Sequence, residues 1–255
     1  MVSHNQIKLI TALRVKKYRQ KYRKFTVEGE KMAAELLAQQ RVGISAVFAL
    51  ERWAGENAAL LAPVLEKFNA VSEAELKKIS SLTTPNRVLI IADMPDEPLP
   101  VGILQQEYCF YLDGIQDPGN LGTILRVADW FGIPAVICSP DTVDAFSPKV
   151  VQASMGAFLR VGVWETPLEE LLDKNPGLPV SGAVLGGDPL FQTALPDHGL
   201  LVIGNEGQGI RPGVEARLTH RLTIPRHPSG GAESLNASVA AGILAAAVRN
   251  APFHQ

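Results

Sequence analysis

Residues Leu201 to Ala241 read LVIGNEGQGIRPGVEARLTHRLTIPRHPSGGAESLNASVAA. An apolar strand runs into a tight glycine-rich loop at positions 204–209, and a second strand at 221–224 runs into another loop. A helix is predicted to begin at Ser234, and its first turn offers unpaired backbone N–H donors. Because glycine lets bare backbone approach a ligand closely, two strand ends that deliver such loops predict a pocket for a small ligand.

The first of these loops is not a nucleotide-binding fingerprint. Its glycines have the spacing G-x-x-G-x-G, and it is not followed by a helical run with an acidic residue about 20 positions further on, as a dinucleotide site requires. The sequence also lacks the Gly-Lys-Ser/Thr of a phosphate-binding loop. A Rossmann site is usually carried by the first strand–helix turn, whereas these loops lie near the C-terminus. The pocket is therefore of another class.

Three motifs follow one another along the chain. They read Asn120-Leu-Gly-Thr-Ile-Leu-Arg126, Gly204-Asn-Glu-Gly-Gln-Gly209, and Ile224-Pro225 followed by Ser234-Leu-Asn-Ala-Ser-Val-Ala240. In order and spacing they resemble the SpoU (TrmH-type) branch of the SPOUT RNA methyltransferases. Each motif alone is a weak signal, and the three together are a specific one. The segment between Pro225 and Ser234 is slightly longer than in the commonest family form, so the resemblance does not define its contacts.

The resemblance implies a fold as well as an activity. The fold is α/β, with a small N-terminal domain of the ribosomal-protein L30 type and a C-terminal SPOUT domain that has a parallel sheet and a trefoil knot. Phe25-Thr-Val-Glu-Gly-Glu30 is similar to the start of the family's substrate-binding domain. Folding rules alone would predict an unknotted sheet. The implied activity is S-adenosylmethionine-dependent methylation of an RNA ribose 2′-hydroxyl.

The resemblance also assigns roles to residues. The catalytic set it implies is Arg126, Asn120, Glu206, Ser234 and Asn236, and the cofactor contacts are Gly204, Ile224 and Leu235. A guanidinium stays protonated in proteins, so we interpret Arg126 as an electrostatic clamp on phosphate or developing alkoxide; the alternative, a general base, would require strong tuning of the guanidinium by its surroundings. Glu206 is expected to fix the guanidinium. The plainer alternatives are a surface arginine, a solvated loop carboxylate and apolar core packing.

Charge is distributed unevenly along the 255 residues. Residues 1–97 carry 15 Lys and Arg against 11 Asp and Glu, a net +4, and the remainder carries 9 against 15, a net −6. Seven bases crowd the run from position 14 to 24, with two tyrosines among them: Arg14, Lys16, Lys17, Arg19, Lys21, Arg23 and Lys24. Alone, this run is typical of a solvated helix face. Beside a methyltransferase domain it predicts RNA binding through phosphate attraction and base stacking.

The alternation of strands and helices predicts two domains. A basic helical arm at 1–25 and an α/β region at 26–92 form the first, residues 1–97, which we interpret as RNA-binding. The acidic, proline-rich stretch 93–100 cannot propagate regular structure and is the predicted linker. The methyltransferase domain is predicted at 101–255.

Individual elements are also predicted within these domains. In the first, strands are expected at 24–29, 46–50, 68–71 and 87–92, and helices from about 30 to 40 and from Ser72 to about Ser80, the latter with a capping box. In the second, strands are expected at 108–112, 135–138, 158–163, 180–185, 201–203 and 221–224, in a mostly parallel sheet. Asn120 is the predicted N-cap of the helix that carries Arg126. An alanine-rich last helix, 234–249, has a broad apolar face, and the resemblance implies a homodimer through the C-terminal domain.

Other ligands and compartments are disfavoured by composition. Cys109 and Cys138 lie in apolar strand-like runs and are expected to be buried thiols in a reducing cytoplasm. The five histidines are scattered, so no metal is expected. No apolar run approaches the length of about 18 residues that a membrane span needs.

Three functions remain open at this stage. The first is ribose 2′-O-methylation of structured RNA, with ribosomal RNA favoured over transfer RNA because of the separate N-terminal domain. The second is RNA binding by a protein that keeps the fold but not the chemistry. The third is methylation of a nucleobase.

Overall fold

The computed structural model describes residues 2–39 and 41–249. Contacts within the chain divide it into two compact units. The first contains the chain up to Glu97 together with Asp144–Leu159, and the second contains Pro98–Val143 together with the chain from Arg160 onwards. The chain therefore passes between the units three times.

The helices and strands follow one another in both units. In chain order the described helices are α1 (His4–Ala12), α2 (Lys16–Tyr22), α3 (Glu30–Gln39), α4 (Glu51–Glu56), α5 (Ala58–Leu61), α6 (Glu73–Ile79), α7 (Ile103–Gln106), α8 (Pro118–Trp130), α9 (Pro148–Ser154), α10 (Leu168–Lys174), α11 (Pro212–Glu215) and α12 (Ala237–Arg249). The strands are β1 (Lys24–Glu28), β2 (Ile44–Ala49), β3 (Phe68–Ala70), β4 (Val88–Asp93), β5 (Tyr108–Asp113), β6 (Ala135–Cys138), β7 (Gly162–Glu165), β8 (Val180–Pro189), β9 (Gly199–Gly204) and β10 (His220–Thr223). Short 3-10 helices lie at Ala62–Lys67, Ala157–Leu159 and Leu190–Gln192.

The first unit is built on a four-stranded sheet in the order β1-β4-β2-β3. Strand β4 is antiparallel to β1 and β2, and β3 is parallel to β2. The apolar residues of β4 from Val88 to Ala92 are all buried. The predicted capping box is confirmed: Ser72 and Glu75 exchange side-chain and backbone hydrogen bonds at the start of α6.

The N-terminal helices are part of this unit and not a projecting arm. Ile10 and Leu13 are buried in one apolar cluster with residues of α6 and of strands β2 and β4. Helix α2 ends where Arg23 adopts a left-handed conformation with φ 53°. Burial of apolar side chains fixes the segment against the sheet, which a sequence pattern dominated by its lysines and arginines does not reveal.

The segment Asp144–Leu159 packs its aromatic side chains in the first unit. The ring of Phe25, in β1, lies 4.9 Å from that of Phe146 and 5.7 Å from that of Phe158. The strand predicted at 158–163 is therefore misplaced: residues 157–159 form a 3-10 turn, and β7 begins only at Gly162. Phe158 contributes to a core that lies outside the six-stranded sheet, so the strand has to start after it.

The second unit holds a parallel sheet in the order β10-β8-β9-β5-β6-β7. This confirms the predicted parallel α/β architecture, and all six predicted strands are present: β6 has the predicted bounds, β7 starts later, and the other four have shifted ends. Strands β5 and β9 pair in register from Tyr108 opposite Gly199 to Asp113 opposite Gly204. Because the two strands end side by side, the chain segments that follow them leave the same edge of the sheet. Those segments carry the first and second motifs.

Candidate active site

The second motif forms a closed turn at the end of β9. Asn205 and Gly209 exchange two backbone hydrogen bonds, each 2.9 Å long. A Cβ atom added to Gly204 would lie 2.2 Å from the carbonyl carbon of Gly209, closer than two such atoms can approach. Glycine is therefore required at position 204 by the packing of the turn itself.

The side chain of Asn205 organises the same turn from inside. Its Oδ1 accepts hydrogen bonds from the backbone N–H groups of Gly207, at 2.9 Å, and Gln208, at 3.2 Å. Its Nδ2 donates to the carbonyl oxygen of Gly114 at 2.7 Å. Since Gly114 directly follows β5, the asparagine ties the second motif to the segment that leads into the first.

Asn120 is not the N-cap of α8, contrary to the sequence prediction. Asp117 is the cap: its side chain accepts a 2.8 Å hydrogen bond from the backbone N–H of Asn120, and Pro118 occupies the first turn, where its missing N–H costs nothing. The helix thus begins earlier than predicted, and the Asn120 side chain is left available for other partners.

Asn120 bridges the second and third motifs. Its Nδ2 donates a 2.6 Å hydrogen bond to Oε1 of Glu206, and its Oδ1 accepts a 2.9 Å hydrogen bond from Nδ2 of Asn236. An amide can do both because it carries a donor and an acceptor on one planar group. Side chains from all three motifs therefore meet at a single point of the second unit.

Asn236 also starts the last helix. Its Oδ1 accepts from the backbone N–H of Ser238 at 2.9 Å and from that of Val239 at 3.4 Å, which is the pattern of an N-cap. The helix begins at Ala237 and not at Ser234 as predicted, and Ser234 and Leu235 lie before it, exposed. Asn120, Glu206 and Asn236 are joined by hydrogen bonds, but Ser234 is not part of this set.

Arg126 is exposed on α8, six residues after Asn120 and hence about 9 Å further along the helix axis. In the described part of the chain it has no hydrogen-bond or ion-pair partner. The expected ion pair with Glu206 is absent from the described residues, where Oε1 of that carboxylate accepts from Asn120. Helical side chains lean toward the N-terminus, so the guanidinium is free to extend toward the end of α8 that carries Asn120.

Comparisons with known proteins identify the family. The model of the SpoU rRNA Methylase family matches residues 107–246. The chain belongs to the SpoU rRNA methylase family. A second model, the MRM3-like substrate binding domain, matches residues 4–90. The predicted activity class, RNA 2′-O-methylation, and the predicted methyl donor, S-adenosylmethionine, are confirmed at the level of this family.

Individual relatives span nearly the whole chain. The curated protein "23S rRNA (guanosine(2553)-2'-O)-methyltransferase RlmP" of Bacillus subtilis is 31% identical over 242 residues, which are 91% of each chain. A solved structure described as a putative RNA methyltransferase of the TrmH family from Porphyromonas gingivalis is 40% identical, with a TM-score of 0.85 over 98% of each chain. An AdoMet-bound rRNA methyltransferase from Sinorhizobium meliloti is 27% identical, with a TM-score of 0.85 over 98% of this chain and 96% of the other.

The residues near the SpoU motif loops fit S-adenosylmethionine. Leu235 is 46% exposed, an apolar side chain left uncovered beside polar neighbours, and Ile224, directly after β10, is half-buried. The position of a Cβ on Gly209 has no atom within 4 Å, so there is open space beside the turn. Accessible apolar side chains and an open glycine turn are the kinds of group that an adenine face and its polar edge require.

The longer segment before Ser234 folds onto itself. Nη1 of Arg226 donates to the carbonyl oxygen of Ala232 at 3.1 Å, and the N–H of Gly230 donates to the carbonyl oxygen of His227 at 2.8 Å. The ring of His227 lies 2.7 Å from the hydroxyl of Ser229. These bonds close the additional residues into a turn of their own and leave the Ser-Leu-Asn block intact.

The seven predicted RNA-binding cations of the substrate-binding unit differ in availability. Arg19 is 2% exposed and pairs with Asp144 at 2.6 Å, so its prediction as an RNA contact is wrong. Arg14 donates to the carbonyl oxygens of Ile79 and Ser80, at 3.2 and 2.7 Å. Further ion pairs join Arg23 to Asp96 at 2.6 Å and Lys24 to Asp93 at 2.5 Å.

What remains accessible on α2 is a face of lysines and tyrosines. Lys17 and Lys21 are exposed, and Tyr18 and Tyr22 are 37% and 40% exposed. The two rings are stacked, with centroids 6.2 Å apart and planes inclined by 14°, and Nζ of Lys21 lies 5.5 Å from the ring centre of Tyr22. Lys16 is half-buried on the same helix.

Sequence reasoning missed an ion-pair network beside the second motif. Asp113 is fully buried at the end of β5 and accepts from Arg211, which also contacts Asp141. The hydrogen bond to Asp113 raises the pKa of Arg211 above its ordinary value. Burial alone would raise the pKa of Asp141, but bonds from Ser139 and from backbone, with the charge of Arg211, hold that pKa below its usual value. The sequence does contain one signal for this network, because Asp113 is an acidic residue at the end of an apolar strand.

The described residues contain neither a membrane-spanning helix nor a metal-binding cluster. No helix in this part of the chain is both long and apolar enough to cross a bilayer. Likewise, residues 2–39 and 41–249 contain no group of three or more His, Cys, Asp or Glu side chains placed to hold a metal ion.

Proposed function

We propose that this protein transfers the methyl group of S-adenosylmethionine to the 2′-hydroxyl of a ribose in ribosomal RNA. The observation that carries the proposal is the bridge made by Asn120 between Glu206 and Asn236, because it assembles polar groups of three distant motifs at one point. The Bacillus subtilis relative, whose name specifies a 2′-O-methyltransferase of 23S rRNA, supports the choice of ribosomal over transfer RNA.

Arg126 supplies positive charge to the reaction. S-adenosylmethionine brings a reactive sulfonium methyl, so the remaining difficulty is the weak nucleophilicity of a neutral ribose hydroxyl. A guanidinium without an internal partner in the described structure can contact the neighbouring phosphate or the oxygen on which negative charge develops. It acts as an electrostatic clamp, because it does not give up its proton at ordinary pH.

The polar bridge orients the reacting groups. Asn120 donates a hydrogen bond to Glu206 and accepts one from Asn236, so all three side chains are held in fixed directions. Glu206 keeps further acceptor capacity for a hydroxyl hydrogen, and Ser234 adds an exposed hydroxyl. Gly204, Ile224 and Leu235 hold the methyl donor, with backbone groups on its polar edges and apolar side chains on its adenine.

Labelled S-adenosylmethionine tests the reaction directly. The purified protein is incubated with methyl-labelled donor and ribosomal RNA from a strain that lacks the gene, and the RNA is then hydrolysed with alkali. Ribose methylation blocks cleavage at the modified position, so we expect the label in an alkali-resistant dinucleotide. Label in a mononucleotide, or no label despite RNA binding, would each overturn the proposal, in favour of a base methyltransferase or a non-catalytic binder. A parallel incubation with transfer RNA tests the substrate, and label in transfer RNA only would favour a tRNA enzyme.

RNA contacts are proposed for the exposed face of α2. Lys17 and Lys21 attract phosphates, and the stacked rings of Tyr18 and Tyr22 offer a surface on which an unpaired base can stack. Lys16 adds positive charge beside it, whereas Arg14, Arg23 and Lys24 have partners within the first unit and contribute less. The match of residues 4–90 to a substrate-binding domain supports this assignment.

A homodimer through the second unit is also proposed. Helices α8 and α12 pack against each other and leave large apolar side chains uncovered, with Trp130 84% exposed and Val239 49% exposed. Such side chains suit a contact with a second copy. Light scattering with size-exclusion chromatography would give twice the 27.5 kDa chain mass if the proposal holds, and the chain mass itself if it fails.

The trefoil knot remains a proposal for the same unit. It is supported by the meeting of the second and third motifs at Asn120 and by the position of β10 at the sheet edge, next to β8. A cytoplasmic location is proposed as well, since ribosomal RNA is the proposed substrate. Cys109 and Cys138 are buried and form no disulfide with each other, and burial raises the pKa of Cys109 to about 12, as in an unreactive structural thiol.

A further inference from the structure

Arg211 joins two carboxylates at the edge of the sheet that carries the active site. Its backbone N–H donates to Oδ2 of Asp113 at 2.8 Å, its Nε donates to Oδ1 at 2.7 Å, and its Nη2 also reaches Oδ1. The same guanidinium contacts Asp141 at 3.1 and 3.2 Å, and Ser139 donates to Asp141 at 2.8 Å. Asp113 is 0% exposed and Arg211 keeps 41% of its side chain exposed.

This ion pair holds the C-terminal end of the second-motif turn. Arg211 follows Gly209 by two residues, and the buried side chain of Ile210 lies between them. The N-terminal end of the turn is held by Asn205, whose Nδ2 donates to the carbonyl oxygen of Gly114. Both ends of the turn are therefore tied to adjacent residues, 113 and 114, and α8 begins four residues further on, at Pro118.

We propose that the ion pair of Arg211 with Asp113 is a positioning device that holds Glu206 against Asn120. Glu206 lies within the turn and Asn120 lies in the first turn of α8, only six residues after Gly114. The pair thus sets the separation between motifs one and two, and it affects turnover more than binding of RNA or methyl donor. The inference rests on the proposed function.

Arginine suits this role better than lysine. Its planar guanidinium donates in two directions at once, so it can hold the buried carboxylate of Asp113 and still contact Asp141. An ammonium would keep the charge but not the fixed angle between the two partners. Arg211→Lys should therefore fold with its charge in place and still position Glu206 poorly.

Four variants of the full-length protein test the proposal: Arg211→Lys, Arg211→Met, Asp113→Asn/Arg211→Met and, as a matched control, Arg160→Met. The control removes a guanidinium of similar exposure, 36%, that contacts Asp129 at 2.8 Å. A small displacement of a reacting group costs about 100-fold in rate. We expect kcat to fall roughly 10- to 100-fold in Arg211→Met and less in Arg211→Lys. The KM for RNA should stay within about twofold of the wild-type value, and the double variant should be no slower than Arg211→Met.

A second readout needs no activity. Hydrogen exchange at the backbone amides of Gly207 and Gln208 should accelerate in Arg211→Met and not in Arg160→Met, since only the former loosens the turn. Wild-type exchange there, or a wild-type kcat per folded molecule in Arg211→Met, would overturn the inference. So would a lowered melting temperature with kcat unchanged, which is the mark of a merely stabilising pair. A wild-type protein that methylates no RNA would instead end the proposed function.

Discussion

Helices α2 and α8 both carry arginines that the sequence marks as functional, and the two arginines have opposite environments. Arg19 on α2 is 2% exposed, contacts Asp144 through Nε and Nη2 at 2.8 and 2.6 Å, and donates to the carbonyl oxygen of Leu13 at 2.7 Å. Arg126 on α8 is exposed and has no partner in the described part of the chain. The first guanidinium serves folding and the second is available to a ligand.

The difference shows that a count of basic residues is not a count of available charges. Within the run from position 14 to 24, carboxylates and carbonyl groups of the first unit bind Arg14, Arg19, Arg23 and Lys24. At the candidate site, Asn120 binds Glu206, and Arg126 has no partner among the described residues. A charge whose hydrogen-bonding capacity is filled inside the fold contributes little to recognition, whereas an unpaired one keeps its capacity for the substrate.

Arg126→Ala should have the largest effect on activity. Removal of a group that stabilises developing negative charge costs about 100- to 1,000-fold in kcat, so we expect a loss of that size. Binding of S-adenosylmethionine, measured by calorimetry, should be nearly unchanged. Loss of cofactor binding instead would mean that Arg126 holds the donor and not the RNA.

Arg19→Met should have the largest effect on stability. It leaves the carboxylate of Asp144, 10% exposed, without its counter-charge, and breaking a buried pair in this way costs about 3–5 kcal/mol. Denaturant unfolding of the full chain should show an earlier transition. Lys17→Ala on the same helix is the matched control and should unfold like the wild type. Equal stability of the two variants would remove the contrast between the two kinds of cation.

Asn120→Asp should make the active site pH-dependent. The new carboxylate would face Oε1 of Glu206 across the 2.6 Å that now separates a donor from its acceptor. Two carboxylates so close cannot both ionise, and the pair keeps one proton until the pH rises above its raised pKa. Activity should fall about 10-fold or more at neutral pH and recover partly as the pH is lowered. A pH profile parallel to that of the wild type would exclude the predicted repulsion.

Lys17→Ala/Lys21→Ala should have the smallest effect. Loss of two phosphate contacts weakens RNA binding and lowers the slope of log affinity against log salt by about 1.4 for single-stranded RNA. Tyr18→Ala/Tyr22→Ala should weaken binding to unpaired RNA without changing that slope, since stacking does not release counterions. Salt titrations of fluorescence anisotropy measure both. An unchanged slope in the lysine variant would make α2 an ordinary solvated helix.

Much of the fold was predictable because its signals are local. The apolar strands from Tyr108 to Leu112 and from Leu201 to Ile203, and the capping box at Ser72, follow from hydrophobic runs and from hydrogen bonds between near neighbours. The start of α8 was predicted wrongly because Asp117 and Asn120 are both good caps, and Pro118 decides between them. The start of β7 was predicted wrongly because Phe158 packs against Phe25, a partner 133 positions away.

The site divides in the same way. The candidate residues Asn120, Glu206 and Asn236 came from the resemblance of three short motifs, and their meeting is visible only in the structure. The Arg211–Asp113 pair went unpredicted because neither residue belongs to a motif and 98 positions separate them. The expected Arg126–Glu206 pair was wrong: Glu206 accepts from Asn120, and the motifs do not show which of their polar residues contact one another.

Hydrophobic periodicity and short motifs, which are read within a few residues, are enough to predict the two-part α/β composition, the parallel sheet and the family with its methyl-transfer chemistry. Which charges are free depends on how the chain folds. Arg19 and Arg126 are the same residue type in the sequence. One is buried against Asp144 and the other is exposed, and this difference depends on contacts between residues that are distant in the chain. Whether a guanidinium binds substrate or supports the fold is decided by the partners within a few ångströms of it, and chain order does not specify them.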